Sequence, residues 1–166
     1  MTILALDLGT KTGWAINDDG VIRSGMEDFT PKKGDHIGKR YHDFIFWVAD
    51  MIIDYKPEYI YYEMPHMRGR RATEVLHGYL TCLQETCYYQ GADEPISVHS
   101  GTIKKFATGN GRASKEDMIE EANEFIGKVD WNPNYEDFKY KEVTDDNEAD
   151  AICLLKYAES QLKEEK

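Results

Sequence analysis

Four acids, an amide and a lysine are spaced so that they could do chemistry together. Asp7 closes the apolar run Thr2 to Leu6 and is followed by Gly-Thr-Lys-Thr-Gly. An acid on an otherwise apolar strand is costly to bury unless it is hydrogen-bonded, paired or bound to a cation. Glu63 ends a second β-rich run, Tyr59 to Tyr62, in the same way. Near the other end of the chain Asn147, Asp150, Ala151, Leu154, Leu155, Ala158 and Leu162 fall on one helical stripe, so an apolar face is continued by an amide and an acid. Asp146 lies one turn before Asp150. At 100° per residue, Asp146 and Asn147 stand about 40° and 60° to opposite sides of Asp150, so either reaches a metal bound beside it. Oxygen ligands drawn from Asp7, Glu63, Asp146, Asn147 and Asp150 make a hard site suited to Mg²⁺, with Mn²⁺ as a substitute. Two such ions stabilise both the attacking and the leaving oxygen of an in-line phosphoryl displacement.

Each residue also has a plainer explanation. Asp7 caps the Gly9-Thr10 turn, Glu63 is an ordinary strand-end acid, and Asp150 only favours the helix dipole. Their joint placement at the ends of elements that adjoin in one layer favours the metal site. Lys115, next to a helix start, is unfavourable for the dipole, a cost that an incoming phosphate offsets.

The elements that must position these groups follow from periodicity. Gly13 to Asn17 and Val21 to Phe29 read as strands joined at Asp18-Asp19-Gly20, which with the Asp7 strand makes an antiparallel meander. Asp35 opens a helical pattern through Ile37, Tyr41, Phe44, Ile45, Val48 and Ile52 that ends before Pro57. Arg68 to Arg71 reads as a basic loop before a second long helix, from Ala72 through Tyr79, Leu80, Leu83 and Cys87. Pro95 to Val98 is a short strand and Thr102 to Phe106 a short helix. Ser114 caps a helix to about Ile126 with Asp117 as its capping-box acid. Asp130 to Val143 reads as a surface loop, and the last helix runs from about Asp146 to Leu162. The order predicts an α/β fold: a mixed five-stranded sheet, antiparallel meander plus two parallel strands, with helices on both faces.

With 166 residues and 41% apolar content, one globular domain over residues 1–166 is expected. No apolar stretch is long enough to span a bilayer and no secretory signal opens the chain, so no membrane partner and a cytoplasmic location are expected. Cys82, Cys87 and Cys153 lack a Cys-x-x-Cys spacing and read as reduced thiols. The net charge of −11 argues on its face against nucleic acid. The basic residues nevertheless cluster at Lys32-Lys33, Lys39-Arg40, Arg68 to Arg71 and Lys104 to Lys115. That segregation allows one basic face on an acidic body; ordinary solvated charge is the plainer meaning.

Across nearly its whole length the chain resembles the RuvC-type Holliday junction resolvases of the RNase H-like superfamily. The resemblance is carried by L-D-L-G-T-K-T-G, by a strand ending Y-Y-E, by a last helix opening D-N-E-A-D-A, and by Lys104 and Lys115 flanking a Gly-x-Gly turn. It implies a homodimer that cuts branched DNA by two symmetric, metal-dependent nicks, using two Mg²⁺ ions per site. Asp7, Glu63 and Asp150 match the family's acids. Asn147 stands where the family has Asp or His, and Asp146, one residue earlier, is the preferred fourth ligand. Catalytic roles fall on Asp7, Glu63, Asp146, Asp150 and Lys115. His66, Arg68, Arg70, Arg71, Lys104, Lys105 and Arg112 are candidate DNA contacts, His66 standing where bacterial members carry an aromatic residue. Small size and acidic balance resemble a bacteriophage member, which would act in the host cytoplasm.

The expected dimer contact is the Tyr79, Leu80, Leu83 and Cys87 face of the second helix; a core role in the monomer is the alternative. D-x-G-T-x-x-G is also the first phosphate loop of actin-like ATPases, but those need a duplicated domain, so no nucleotide cofactor is expected. A YqgF-like RNA-processing nuclease and a non-catalytic junction-binding module remain as competing readings.

Overall fold

The computed structural model describes residues 1–65, 69–127 and 142–164. Five strands form one sheet in the order β3-β2-β1-β4-β5: β1 (Ile3–Asp7), β2 (Lys11–Asp18), β3 (Val21–Asp28), β4 (Tyr59–Glu63) and β5 (Ile96–Val98). β1, β2 and β3 pair antiparallel, while β4 runs parallel to β1 and β5 parallel to β4. After the meander the chain crosses to the other side of β1, so the strand order reverses between β1 and β4. Crevices at the carboxyl ends of strands at such a reversal are where open α/β sheets bind ligands.

Alternation along the strands sends side chains to two cores. Ile3 and Ala5 of β1, Ala15 of β2 and Tyr61 of β4 face one side, packed against α3 (Ser100–Thr108), α4 (Lys115–Gly127) and α5 (Asp146–Glu164). Leu4, Leu6, Ile16, Ile60 and Tyr62 face the other, against α1 (Lys39–Tyr55) and α2 (Arg70–Gln90). β1 is apolar at successive positions because both its faces are covered. α5 is buried almost all round in its first half, with Ala149, Ala151, Ile152, Cys153, Leu154 and Leu155 at 0% exposure. It is the central helix of its layer. On the opposite face, α1 and α2 approach so closely that a Cβ on Gly78 would meet the Tyr41 ring at 2.5 Å. Glycine is what lets that ring lie across the helix. The three cysteines are free thiols, as expected, and among the described residues no helix is long and apolar enough to cross a membrane.

Four expectations need correction. α1 starts at Lys39 rather than Asp35: Asp35 N donates to Lys32 O and Lys39 N to His36 O, so these residues form turns. Ile37, which fitted the helical spacing, is 65% exposed. Arg70 and Arg71 belong to the first turn of α2 rather than to a loop. The α2 face expected at a dimer contact is core: Tyr79 and Leu83 are fully buried and Cys87 is at 2%, with Tyr79 edge-on to Phe44 at 5.1 Å. Leu80 alone of that set is partly exposed. Most of the 130–143 stretch lies outside the described residues, but Val143 is buried at 2%, against a surface placement.

Candidate active site

The parallel ladder places the first two acids. Leu6 of β1 pairs with Tyr62 of β4, so the next step puts Asp7 level with Glu63 at the carboxyl ends of adjacent strands. Asp7 shares parity with Ile3 and Ala5, and Glu63 with Tyr61, which sends both carboxylates to the α5 side of the sheet. The turn after Asp7 is held by its own side chains: Thr12, fully buried, donates its hydroxyl to Gly9 O at 2.7 Å. Phe29 N donates to Thr10 O at 2.7 Å, anchoring the turn to the end of β3.

α5 brings the other acids to the same place. Asp145 is its cap: Oδ1 accepts from Glu148 N at 3.0 Å and its carbonyl accepts from Ala149 N at 3.0 Å. The first turn then lies directly on β2 at Gly13, the ladder partner of Asp7. A Cβ at Gly13 would stand 1.8 Å from Asn147 O and 2.9 Å from Glu148 N. Only a residue without a side chain lets the helix start come down beside Asp7. Glu148, buried at 5%, accepts from Ser24 Oγ at 2.8 Å and ties the same turn to β3.

Electrostatics links the acids of α5 to Glu63. The Asp150 carboxyl is raised to about 7, first by burial and next by the negative charge of Glu63, with Asp146 adding to the rise and Lys104 and Lys115 opposing it. Asp146 goes the other way. Lys115 Nζ donates to its Oδ2, and that bond holds the carboxyl below the usual range, with a further pull from Lys11. Asn147 donates through Nδ2 to Asp145 Oδ1 at 3.3 Å. Lys104 Nζ donates to Ala113 O at 3.1 Å, which ties α3 to the turn leading into Lys115.

These residues fit a hard divalent cation by chemistry. The donors are all oxygen, and the charge that Glu63 and Asp146 impose on Asp150 is what a cation relieves. Among the described residues, no three His, Cys, Asp or Glu side chains already converge as one ligating group. The acids are charged neighbours rather than a closed cage.

Of the basic candidates, Lys105 and Arg112 are exposed on α3 and the turn after it. Arg70 and Arg71 are exposed at the start of α2, Arg70 paired with Glu74 at 3.0 Å. Lys104 is partly buried, its Nζ on the Ala113 carbonyl, and its charge bears on Asp150. His66 and Arg68 lie outside the described residues. Two site residues were missed in the sequence. Lys11, in the turn after Asp7, bears on both Asp28 and Asp146; its place four residues after the strand-end acid was the available signal. Gly13 was legible only as the end of a turn and the start of a strand, not as the place where α5 meets the sheet.

No protein-family model matches the chain, and no curated protein matches it. Solved structures do. Thermus thermophilus RuvC superposes with a TM-score of 0.72 at 15% identity, over 97% of this chain and 97% of that one. The same organism's RuvC in complex with a Holliday junction substrate gives 0.73 at 16% identity, over 97% and 96%. The fowlpox virus resolvase in complex with its substrate Holliday junction DNA gives 0.54 at 18% identity, over 98% and 99%. At these identities the likeness is one of architecture, and it covers both chains almost completely. This chain has the RNase H-like fold of the RuvC-type structures.

Proposed function

We propose that this chain is a metal-dependent, structure-selective endonuclease that resolves Holliday junctions and related branched DNA by paired symmetric nicks. The observation that carries the reading is that β1 and β4 end side by side where the strand order reverses, in the register that puts Asp7 level with Glu63, while the charge of Glu63 bears on Asp150 of α5. It gains weight from two of the structural neighbours, which are complexes with junction DNA.

In this reading Asp7, Glu63 and Asp150 would hold two Mg²⁺ ions, Mn²⁺ substituting, with Asp146 preferred to Asn147 as the further ligand because hard cations favour carboxylates. Such ions would supply Lewis acidity for hydrolysis of the phosphodiester. The lysines do the complementary work. Lys115 is held by Asp146 in the free protein and turns to the scissile phosphate when DNA arrives, while Lys104 and Lys11 offset the remaining negative charge. Arg70, Arg71, Lys105 and Arg112, together with His66 and Arg68, contact the phosphate backbone of the arms, which sets orientation rather than sequence. A homodimer presents two such sites to a two-fold junction, acting in the cytoplasm.

The test is a cleavage assay on four-way, three-way, flap and linear duplex DNA and on structured RNA, in Mg²⁺, in Mn²⁺ and in EDTA. Symmetric nicks in the four-way junction, dependent on Mg²⁺, are the expected result. Tight junction binding with no cleavage in either metal would make the chain a binding module. Preference for structured RNA would favour the YqgF-like reading.

A further inference from the structure

Asn123, in the third turn of α4, makes an unusual set of bonds. Its Oδ1 accepts from Val143 N at 2.9 Å and its Nδ2 donates to Val143 O at 2.9 Å, while Nδ2 also donates to Ile119 O on its own helix at 2.9 Å. One side-chain amide thus binds both backbone groups of one residue, as a neighbouring strand would. Val143, at 2% exposure, is fixed against α4. Two residues later Asp145 caps α5, and then come Asp146 and, one turn on, Asp150.

The start of α5 is therefore held from several sides, by β2, by Ser24 of β3 through Glu148, and by α4. Gly13 of β2 supports it from below through the Asn147 carbonyl, and Asn123 fixes the backbone that feeds it from the side. Lys156 to Glu121, at 3.4 Å, ties α4 to α5 further along, and Lys115 to Asp146 ties their first turns. Ligand sets tolerate errors of only about 0.5 Å. Freeing Val143 lets the first turn of α5 shift as a unit, because its cap and both its acids follow within seven residues.

From this geometry we infer that Asn123 is a positioning residue for the carboxylate cluster: it sets where Asp146 and Asp150 stand against Asp7 and Glu63, without touching metal or DNA. The inference rests on the proposed metal site. It predicts a defect in cation affinity, whereas a bond that served only to tie two helices would lower thermal stability and leave affinity alone.

The experiment is calorimetric titration of the DNA-free protein with Mn²⁺, below the unfolding temperature of each variant, alongside hydrogen exchange of the 142–149 peptide. Asn123→Ala should weaken Mn²⁺ binding on the order of tenfold. Asn123→Asp, which keeps the acceptor for Val143 N and loses the donor, should fall between it and wild type. In the wild-type chain, Mn²⁺ should slow exchange across 142–149, a measurement that needs no variant. Wild-type Mn²⁺ affinity in Asn123→Ala with faster exchange across 142–149, or no effect of bound Mn²⁺ on wild-type exchange there, overturns the inference. A wild-type chain that neither binds Mn²⁺ nor cuts a junction in Mg²⁺ instead overturns the nuclease reading, and the positioning role with it.

Discussion

Asp150 carries the sharpest chemical consequence of the site. Its carboxyl is raised from 3.8 to about 7 by burial and by Glu63, so the folded metal-free protein prefers the neutral acid. A group raised in this way contributes stability that is fully present below its unfolded value, near pH 4, and is lost as pH rises through about 7. In EDTA the melting temperature should therefore fall between about pH 4 and pH 7, by an amount equivalent to at most about 4 kcal/mol. Asp150→Asn should flatten that fall; an unchanged pH profile in the variant would show that the acid is not under this strain. In Mg²⁺, Asp7→Asn, Glu63→Gln and Asp150→Asn should each abolish junction cleavage and leave junction binding in place, since each removes ligand charge without opening a cavity. Near wild-type cleavage by any one of them removes that residue from the ligand set. For the further ligand, Asp146→Asn should cost at least about tenfold in rate and Asn147→Ala less. The reverse ranking at saturating Mg²⁺ transfers the role to Asn147.

Among the elements, the contact between β2 and α5 decides whether the acids meet. An alanine methyl at Gly13 cannot be absorbed by a flexible neighbour, because what it meets is the backbone of Asn147 and Glu148. Gly13→Ala must lift the helix start, at a cost of about 1–3 kcal/mol in stability. The loss of cleavage should be larger in proportion, on the order of a hundredfold, because displacing catalytic groups by about 1 Å has that effect. Gly127, at the end of α4, has nothing within 4 Å of an added Cβ and serves as the control for glycine replacement. The comparison is made at a temperature where circular dichroism shows both variants folded. Wild-type cleavage by Gly13→Ala would mean that the approach of α5 to β2 does not position the site.

For the whole molecule, the proposed function asks how one acidic chain would engage a two-fold, polyanionic substrate. Glu116, Asp117, Glu120 and Glu121 line α4, while Lys104, Lys105 and Arg112 sit on α3 and the turn after it, and Lys115 opens α4. The dimer that paired nicks require cannot use the Tyr79, Leu83 and Cys87 face of α2, which is already spent on the monomer core. Exposed apolar side chains stand elsewhere on that side of the sheet, Phe46 at 60% and Ile53 at 53% on α1, and Tyr88 at 83% at the end of α2. Light scattering at micromolar protein should give twice the mass of one chain. A monomer that still makes both nicks would remove the dimer from the mechanism.

Much of this was present in the sequence because it is local. An apolar run that ends in an acid marks a strand carrying a charged group to its end, and β4 follows that reading from Tyr59 to Glu63. The Ser114 and Asp117 capping box is formed, Ser114 N donating to Asp117 Oδ2 at 2.8 Å and Asp117 N to Ser114 Oγ at 3.2 Å. The stripe of α5 is buried from Ala151 to Leu162. Other features were out of reach. Helical spacing extended α1 back to Ile37, because periodicity does not register the turns that delay the first helical bond. It marked Tyr79, Leu83 and Cys87 as an apolar face but not whether that face meets its own core or a second copy. Asn123 with Val143 spans 20 residues, Lys115 with Asp146 spans 31, and Gly13 meets Asn147 from the far end of the chain. Which polar groups find each other at such separations is decided by how the layers stack, and no local pattern encodes it. The residue types of the candidate site were set by sequence; how they stand to one another belongs to the packing of α5 on the sheet.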